Sequence, residues 1–318
     1  LGDVYKRQVL GKPMKEPQDV PFEKEGQYLK SDNRSNISYF LEHNVLLRRF
    51  TLSVGVLANY NSALNEGIHF YPGIDASYRI GDNVRLYGSW NRALRMPTFT
   101  DLYYEGKTNK GNPDLKPEES EAFEVGLKYN TYFLRAHIAG FYRKGKNMID
   151  WVKEKPEDIW ESQNLTKVDN LGFETNLSLL PRELGNERFF IRKIELGYAF
   201  IHQDKDSEGY ISNYALDYLK HKFTAQLSHS IWKGFSATWY VRWQDRAGSY
   251  TKYENLKPAY EEPYAPYCLV DMKVNWEYQR LNLYAELNNL LNSTYYDLGN
   301  IPQPGIWFKA GFRYSFKY

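Results

Sequence analysis

The side chains best suited to binding chemistry are tyrosines in a polar segment of the C-terminal third of the chain. Tyr250, Tyr253 and Tyr260 lie within this segment, and Tyr264 and Tyr267 follow it. A tyrosine combines a large apolar ring with a hydroxyl group, which suits contact with large, partly apolar ligands. Contact with a ligand stays open for the first three tyrosines.

Patterns that would indicate a metal site or an enzyme are incomplete. The six histidines show no metal-ligand spacing such as His-x-x-x-His. Asp204-x-Asp206-x-x-Gly209 resembles the start of a calcium loop, with Glu208 between, but Ala215 stands where the bidentate acid is required. No nucleophile with its base, and no phosphate-binding or dinucleotide-binding pattern, is recognisable. We therefore expect a solvated acidic loop, no cofactor, no bound metal and no enzymatic activity.

The elements that carry these residues are predicted to be β-strands. Apolar and polar residues alternate with a period of two in 123–130, 235–244, 268–276, 281–288 and 307–318. Side chains of a strand point alternately to opposite faces, so each of these segments has one apolar and one polar face. Such alternation excludes a helical protein and disfavours a parallel sheet, whose strands are buried on both faces. In the last segment the pattern continues to an aromatic terminal residue, which is typical of a strand that closes a membrane barrel.

About thirteen strands are predicted, joined by connections of two kinds. The strands are placed near 36–44, 50–60, 68–80, 84–93, 119–130, 132–152, 161–180, 189–203, 213–230, 235–247, 264–277, 281–291 and 307–318. Tight turns alternate with long polar loops near 94–118, 203–213, 248–263 and 292–306. Short turns at one end of a sheet and long loops at the other are typical of a bacterial outer-membrane barrel, with the long loops outside the cell.

Composition is compatible with this interpretation. The net charge is +2, from 41 basic and 39 acidic residues, so there is no electrostatic case for a nucleic-acid partner. Mean hydropathy is −0.66, which a barrel tolerates because only alternate residues of its strands need be apolar. Aromatic residues make up 17% of the chain, a proportion that fits girdles at two membrane surfaces, to which we assign Tyr264 and Tyr267. The single cysteine, Cys268, is expected to pack as an apolar side chain.

The N-terminal residues differ in character from the rest. Residues 1–8 resemble a translated sequencing adapter, and residues 9–35 are polar, with three prolines. We expect residues 1–35 to comprise this non-native start and a polar loop, and residues 36–318 to form the C-terminal part of a barrel domain that belongs to a longer protein.

Two stretches of the sequence resemble TonB-dependent outer-membrane receptors. The first, NRALRMPTFTDLYYEGKTNKGNPDLKPEE at 91–119, is similar to a barrel segment of that family with an Arg-x-Pro-Thr-Phe loop, Asp-Leu-Tyr and Gly-Asn-Pro-x-Leu-Lys-Pro-Glu. The second, at 286–318, is similar to the family's C-terminal region through Asn-Asn-Leu-Leu-Asn, Tyr-Tyr, Pro-Gly and the aromatic end. A weaker trait lies at 164–174.

The resemblance implies an all-β fold, an antiparallel transmembrane barrel of 22 strands that encloses a plug domain. The thirteen strands would be its C-terminal ones, with the plug absent from this chain, so we expect an open sheet. The resemblance also implies a location in the outer membrane of a Gram-negative bacterium. The partners it implies are outer-membrane lipid, a small-molecule ligand, and TonB acting through the plug.

The implied function is active uptake of a scarce, large solute, cobalamin or a ferric siderophore, with a slight preference for cobalamin. The candidate ligand contacts are Arg95, Phe99, Tyr103, Tyr104, Tyr250, Tyr253, Tyr260, Tyr295 and Tyr296. For the loop that contains Arg95 to Tyr104, an architectural role is an alternative to ligand contact. Two other classes of protein stay open: a passive porin-type channel, and a secreted, tyrosine-rich, carbohydrate-binding β-sandwich.

Overall fold

The structure, a computed structural model, consists of one large antiparallel sheet with short elements in its connections, preceded by a two-stranded pair of Gln8–Leu10 and Lys30–Asp32. It describes residues 8–10, 30–32, 34–62, 67–155, 157–185, 188–206, 209–212, 218–254, 257–298 and 301–316. The thirteen long strands are β1 Asn36–Leu46, β2 Phe50–Asn61, β3 Ile68–Arg79, β4 Val84–Arg95, β5 Glu118–Asn130, β6 Leu134–Lys153, β7 Trp160–Leu179, β8 Ile191–Asp206, β9 Leu219–Ser230, β10 Phe235–Arg246, β11 Tyr267–Tyr278, β12 Leu281–Asn288 and β13 Trp307–Tyr314.

Each long strand pairs with the strands that precede and follow it in the sequence, so the sheet is an up-and-down meander from β1 to β13. The predicted number of strands is confirmed. Within the described residues the sheet order ends at β1 on one side and β13 on the other, which agrees with the expected open sheet. A sandwich needs two large facing sheets, and the long strands form a single one.

Most predicted strand positions agree with the structure, and the differences have local causes. The last strand ends at Tyr314 because its partner β12 begins at Leu281, and after this pair only a bond from Ser315 N to Arg280 O continues the contact. Residues 317–318 lie outside the described residues, as do residues 213–217 of the predicted ninth strand.

All four predicted long loops contain regular structure. The helix α1, Phe99–Tyr103, lies between β4 and β5. A hairpin of Ser249–Glu254 and Lys257–Pro263 lies between β10 and β11. Tyr296–Leu298 pairs with Ile301–Pro302 between β12 and β13. Ile211–Ser212, after β8, pairs with the end of β6.

The two faces of the sheet differ in the way the alternation predicts. On β5, the side chains of Phe123, Val125 and Leu127 share one face and are 45%, 59% and 37% exposed. The opposite face carries polar contacts, such as that of the Tyr87 hydroxyl with Glu124 Oε1 at 2.7 Å. A soluble protein would bury such an apolar face, whereas a barrel in a membrane turns it towards lipid.

A small buried core lies where β6 and β7 extend beyond their neighbours. Both strands are 20 residues long, and Val152, Leu165 and Val168 form a cluster against Met148 and Tyr210. This core supports the connections at the long-loop end of the sheet. Within the described residues, no helix combines the length and the apolar character needed to span a bilayer.

Candidate ligand-binding loops

The first group of candidate residues lies in the connection between β4 and β5, which we name the motif loop (residues 96–117). Its two ends are joined by an ion pair between Arg95, the last residue of β4, and Glu118, the first residue of β5. Arg95 Nε lies 2.5 Å from Glu118 Oε2, and Arg95 Nη2 lies 2.6 Å from Oε1. Glu118 is buried and also accepts the Ile149 N–H at 2.7 Å. The guanidinium group of Arg95 is therefore engaged by the protein itself.

Helix α1 fixes the aromatic residues of the motif loop. Thr98 and Asp101 form a reciprocal capping box, in which Thr98 Oγ1 accepts the Asp101 N–H at 3.1 Å and Asp101 Oδ2 accepts the Thr98 N–H at 2.9 Å. Phe99 is only 8% exposed, and its ring lies between the guanidinium of Arg34, at 4.9 Å, and the ring of Tyr103, at 6.2 Å. Phe99 and Tyr103 thus pack within the loop.

Backbone contacts hold the rest of the motif loop against α1. Asn112 N–H donates to Asp101 O at 2.8 Å, and Gly111 N–H donates to Tyr104 O at 2.5 Å. A Cβ atom at Gly111 would lie 2.8 Å from the backbone of Leu102 and Tyr103, so this close approach requires glycine.

Asn164 joins the motif loop to the long hairpin of β6 and β7. Its side chain accepts the Lys116 N–H at 2.8 Å, and it donates to Lys116 O at 2.9 Å and to Asn147 O at 2.7 Å. Among the aromatic candidates of this loop, Tyr104 is the one that stays open to solvent, at 50% exposure, with Trp151 edge-on at 6.3 Å.

The second group of candidates brings together the connection between β10 and β11 and the connection between β12 and β13. Five side chains from the two connections and the start of β11 form what we name the tyrosine cluster: Tyr250, Tyr264, Tyr267, Tyr295 and Tyr296. The ring of Tyr250 lies 5.1 Å from Tyr264 and stacks on Tyr296 at 5.4 Å. The Tyr267 and Tyr295 rings are 4.6 Å apart, and the Tyr267 hydroxyl donates to Asp297 Oδ1 at 2.6 Å.

Charged side chains border the tyrosine cluster. Lys252 Nζ lies 3.0 Å from Glu262 Oε2 and 5.9 Å from the Tyr296 ring, and the Arg246 guanidinium lies 5.4 Å from the Tyr264 ring. The hydrogen bond to Glu262 raises the pKa of Lys252 above its ordinary value. Burial, followed by the negative charge of Glu262, raises the pKa of the Tyr250 hydroxyl. The cluster is therefore neutral and aromatic at physiological pH, with cations at its edge.

Asn289 anchors the connection that carries Tyr295 and Tyr296. It is 3% exposed and has a positive φ of 52°. Its N–H donates to Asp271 Oδ1 at 2.7 Å, its Nδ2 donates to Ser293 O at 2.9 Å, and its Oδ1 accepts the Ser293 N–H at 2.9 Å. This turn directs the chain back over Tyr267, the first residue of β11.

The structure separates the candidate residues by their accessibility. Tyr104 and Tyr260 present exposed rings, the latter at 52% exposure, whereas Phe99 and Tyr250 are buried. Tyr295 and Tyr296 are half-buried, and the side chain of Tyr253 lies outside the described residues. The girdle assignment is wrong for Tyr264, which is buried against Tyr250, and for Tyr267, whose hydroxyl donates to Asp297, because neither side chain faces lipid.

Several supporting residues were missed by the sequence analysis. The Thr98-x-x-Asp101 spacing, a capping-box pattern, could have predicted α1. No local sequence pattern indicates the contact of Trp151 with Tyr104 or of Asp297 with Tyr267, because each contact joins segments that are distant in the sequence.

In the acidic loop, Asp204 pairs with Lys167 at 3.0 Å, and the side chains of Asp206 and Glu208 lie outside the described residues. Within the described ranges, no three acidic, histidine or cysteine side chains come together as metal ligands would.

The sequence matches a family model described as TonB dependent receptor-like, beta-barrel, over residues 7–290. Among curated proteins, the vitamin B12 transporter BtuB of Vibrio vulnificus is 25% identical over 191 residues, which cover 55% of this chain and 30% of that protein. The ferrienterobactin receptor of Escherichia coli is 22% identical over 297 residues, which cover 84% of this chain and 38% of that protein. The chain spans about a third of the length of these two relatives.

Solved structures share the fold. The ferric enterobactin receptor PfeA of Pseudomonas aeruginosa, in complex with BCV-L6, aligns with a TM-score of 0.72 at 19% identity and covers 98% of this chain and 50% of its own. The FrpB iron transporter of Neisseria meningitidis, F3-3 variant, aligns with a TM-score of 0.68 at 17% identity and covers 90% of this chain and 46% of its own. The sheet described above therefore corresponds to part of a receptor barrel.

Proposed function

The chain belongs to the TonB-dependent receptor-like β-barrel family, and from this premise we propose that it is part of an active-transport receptor for a large, scarce solute. The proposed solute is either cobalamin or a ferric siderophore, and uptake is energised by TonB through a plug domain outside this chain. Proteins of this family are transporters of the Gram-negative outer membrane, not enzymes.

The arrangement of aromatic residues at the long-loop end of the sheet carries the proposal. The tyrosine cluster joins two connections into one unit and leaves Tyr260, on the hairpin, exposed. The motif loop is likewise rigid and leaves Tyr104 exposed. Exposed aromatic rings on rigid supports bind a large, partly apolar ligand at a low cost in conformational entropy. The other candidates then act as supports that position Tyr104 and Tyr260.

The identity of the solute is tested by growth. A strain that lacks the receptor containing this chain is compared with its parent on limiting vitamin B12 and, separately, on limiting iron supplied as a ferric siderophore. A growth defect in one condition alone identifies that solute. Equal growth of the two strains in both conditions would contradict both ligands and would direct attention to a glycan or a peptide.

The roles of the exposed tyrosines are tested by substitution in the whole receptor. Tyr104→Ala and Tyr260→Ala are each expected to weaken binding of the solute identified by growth by about tenfold, since exposed aromatic anchors dominate many binding sites. Tyr132→Ala is the matched control, because Tyr132 is 69% exposed but lies in the short turn between β5 and β6, at the opposite end of the sheet. Unchanged affinity in both loop variants would contradict the proposed contacts and leave the transport function itself intact.

A further inference from the structure

The connections at the long-loop end of the sheet carry a surplus of negative charge. Six connections join the long strands at that end: residues 62–67, 96–117, 154–159, 207–218, 247–266 and 289–306. Their sequences contain thirteen acidic and six basic residues, which gives a net charge of −7. This is the end of the sheet to which we assign contact with the solute.

The opposite end of the sheet has the opposite sign. The connections at the turn end are residues 47–49, 80–83, 131–133, 180–190, 231–234 and 279–280. Their sequences contain three acidic and six basic residues, which gives a net charge of +3. The negative charge is therefore a property of one end and not of the connections in general.

The cations at the tyrosine cluster are engaged by the protein itself. Lys252 lies directly opposite Tyr260 in the hairpin, but its Nζ is 3.0 Å from Glu262 Oε2. The Arg246 guanidinium lies against the ring of the buried Tyr264, at 5.4 Å. The exposed ring of Tyr260 thus has a neutral ion pair as its neighbour in the hairpin.

The other face of the hairpin adds a negative charge that no cation offsets. Glu261, the residue after Tyr260, is exposed and accepts the Ser249 hydroxyl at 3.0 Å and the Thr251 hydroxyl at 2.6 Å. Both donors are neutral, and among the described side chains Glu261 has no ion-pair partner. The two hydroxyl groups therefore hold a carboxylate in place without neutralising it.

The motif loop gives Tyr104 no positive surroundings. Glu105 and Asp114 are exposed and balance the exposed Lys107 and Lys116. The remaining lysine of the loop, Lys110, lies 3.7 Å from Glu161 Oε1 on β7. The charges that the loop presents to solvent therefore cancel.

The connection between β6 and β7 places further acids close to Tyr104 along the chain. Trp151, which lies edge-on to Tyr104 at 6.3 Å, is near the end of β6. The connection that follows, residues 154–159, carries three exposed acids and one lysine: Glu154, Glu157, Asp158 and Lys155. An anion that approaches the ring of Tyr104 would meet net negative charge from this side.

The charge of a ligand must be matched at its binding site. An anion bound on aromatic rings needs cationic or N–H donors beside them, and juxtaposed like charges oppose both binding and approach. We propose that the solute carries no net negative charge. Of the solutes proposed above, this admits cobalamin and the neutral or cationic ferric hydroxamates, and it excludes the anionic ferric catecholates. The inference rests on the proposed function, because it takes these connections as the entrance for the solute.

The first test measures the affinity of the whole receptor for three probes by isothermal titration calorimetry. Cyanocobalamin and a ferric hydroxamate are neutral, and a ferric catecholate is anionic. The tighter of the two neutral probes is expected to bind at least about a hundredfold more tightly than the catecholate. Equal or tighter binding of the catecholate would overturn the inference and leave the transport function intact. Absence of binding by all three would contradict the transport function and the inference with it.

The second test reverses the charge of two exposed acids of the motif loop. The double variant E105K/D114K is expected to bind the ferric catecholate about tenfold more tightly than the wild type. The control D82K/E183K makes the same change of charge in exposed residues of two turn-end connections, and its affinity is expected to stay within about twofold of the wild type. No gain in E105K/D114K, or an equal gain in the control, would overturn the inference.

Salt separates the effect of charge from that of shape. At about 1 M salt, where charges are screened beyond about 3 Å, the preference for the neutral probe is expected to narrow at least threefold. A preference that salt leaves unchanged would assign the selection to the shape of the ligand and would overturn the inference.

Discussion

The motif loop and the tyrosine cluster both support candidate ligand contacts, but different forces hold them in place. The motif loop depends on directional contacts of individual residues: the Arg95–Glu118 ion pair, the capping box of α1 and the three hydrogen bonds of Asn164. The tyrosine cluster depends mainly on ring contacts at 4.6–5.4 Å. Directional contacts tolerate few substitutions, whereas ring packing tolerates any side chain of similar shape. This difference fits the longer sequence pattern of the motif loop, since of the cluster only Tyr295 and Tyr296 belong to a recognised motif.

The comparison predicts that removal of Glu118 has the largest effect. Glu118→Ala leaves the Arg95 guanidinium and the Ile149 N–H without their acceptor, and we expect it to lower the free energy of unfolding by about 2–3 kcal/mol. The measurement is urea unfolding in micelles. Glu119→Ala is the control, because Glu119 is half-exposed and 3.8 Å from Arg92, and it is expected to cost less than about 0.5 kcal/mol. Similar losses in the two variants would show that the motif loop does not depend on its ion pair.

A smaller effect is expected where the motif loop packs backbone against backbone. In Gly111→Ala the new methyl group meets the backbone of Leu102 and Tyr103 at 2.8 Å, so the loop must separate from α1 at a cost of about 2 kcal/mol. Trypsin is then expected to cleave after Lys107 and Lys110 about tenfold faster. In Gly106→Ala the methyl group meets only the exposed Tyr104 side chain, at 3.0 Å, which can move, so wild-type cleavage rates are expected. Wild-type rates in both variants would contradict the tight packing.

The ring contacts of the tyrosine cluster are expected to give a weaker but measurable coupling. A double-mutant cycle of Tyr250→Ala and Tyr296→Ala should give a coupling free energy of about 1 kcal/mol, the value of one stacked pair. The cycle of Tyr260→Ala with Tyr296→Ala is the control, and a coupling below about 0.3 kcal/mol is expected because Tyr260 is half-exposed. Absence of coupling in the first cycle would mean that the two connections are held by other contacts.

The smallest expected effect is an alkaline transition of the hairpin. The pKa of Lys252 is raised by Glu262, so the contribution of this pair is fully present below the ordinary lysine value of 10.5 and is lost as pH rises through the higher folded value. The pKa of Tyr250 is raised as well, so its tyrosinate forms late in a spectrophotometric titration. We expect Tyr250→Phe to remove absorbance only from the late part of that titration. Removal of absorbance from its early part would contradict the burial of this hydroxyl.

The alternation of residues determined the strands because each side chain of a barrel strand meets either lipid or the polar interior. The pattern of a segment such as 123–130 therefore predicts both that it is a strand and which residues lie on each face. The thirteen strands are neighbours in the sheet in their order along the chain. The length of the final strand was predicted less well. The alternation continues beyond Tyr314, but pairing stops where β12 begins, and a pattern within one strand contains no information about the end of its partner.

The sequence placed the candidate ligand contacts of the motif loop in the correct connection, but it did not show which of them support the loop and which are exposed to a ligand. Arg95, Phe99 and Tyr103 share a short stretch of sequence with Tyr104, yet Arg95 pairs with Glu118, Phe99 packs against Arg34 and Tyr103, and only Tyr104 presents an exposed ring. Their accessibility depends on residues up to 65 positions away, such as Arg34 beside Phe99.

By itself the sequence determined the class of the protein: an all-β chain with an apolar outer face, motifs of one receptor family and long loops at one end. These features are local, since they depend on period-two alternation and on residues a few positions apart. Only the tertiary structure decided which tyrosines pack together and which stay open, and that lysines of β6 and β7 face each other on the lipid-facing side. The first result depends on the paths of two connections, which stack Tyr250 on Tyr296, and the second on strand register, which places Lys146 opposite Lys167; the alternation within single strands contains neither.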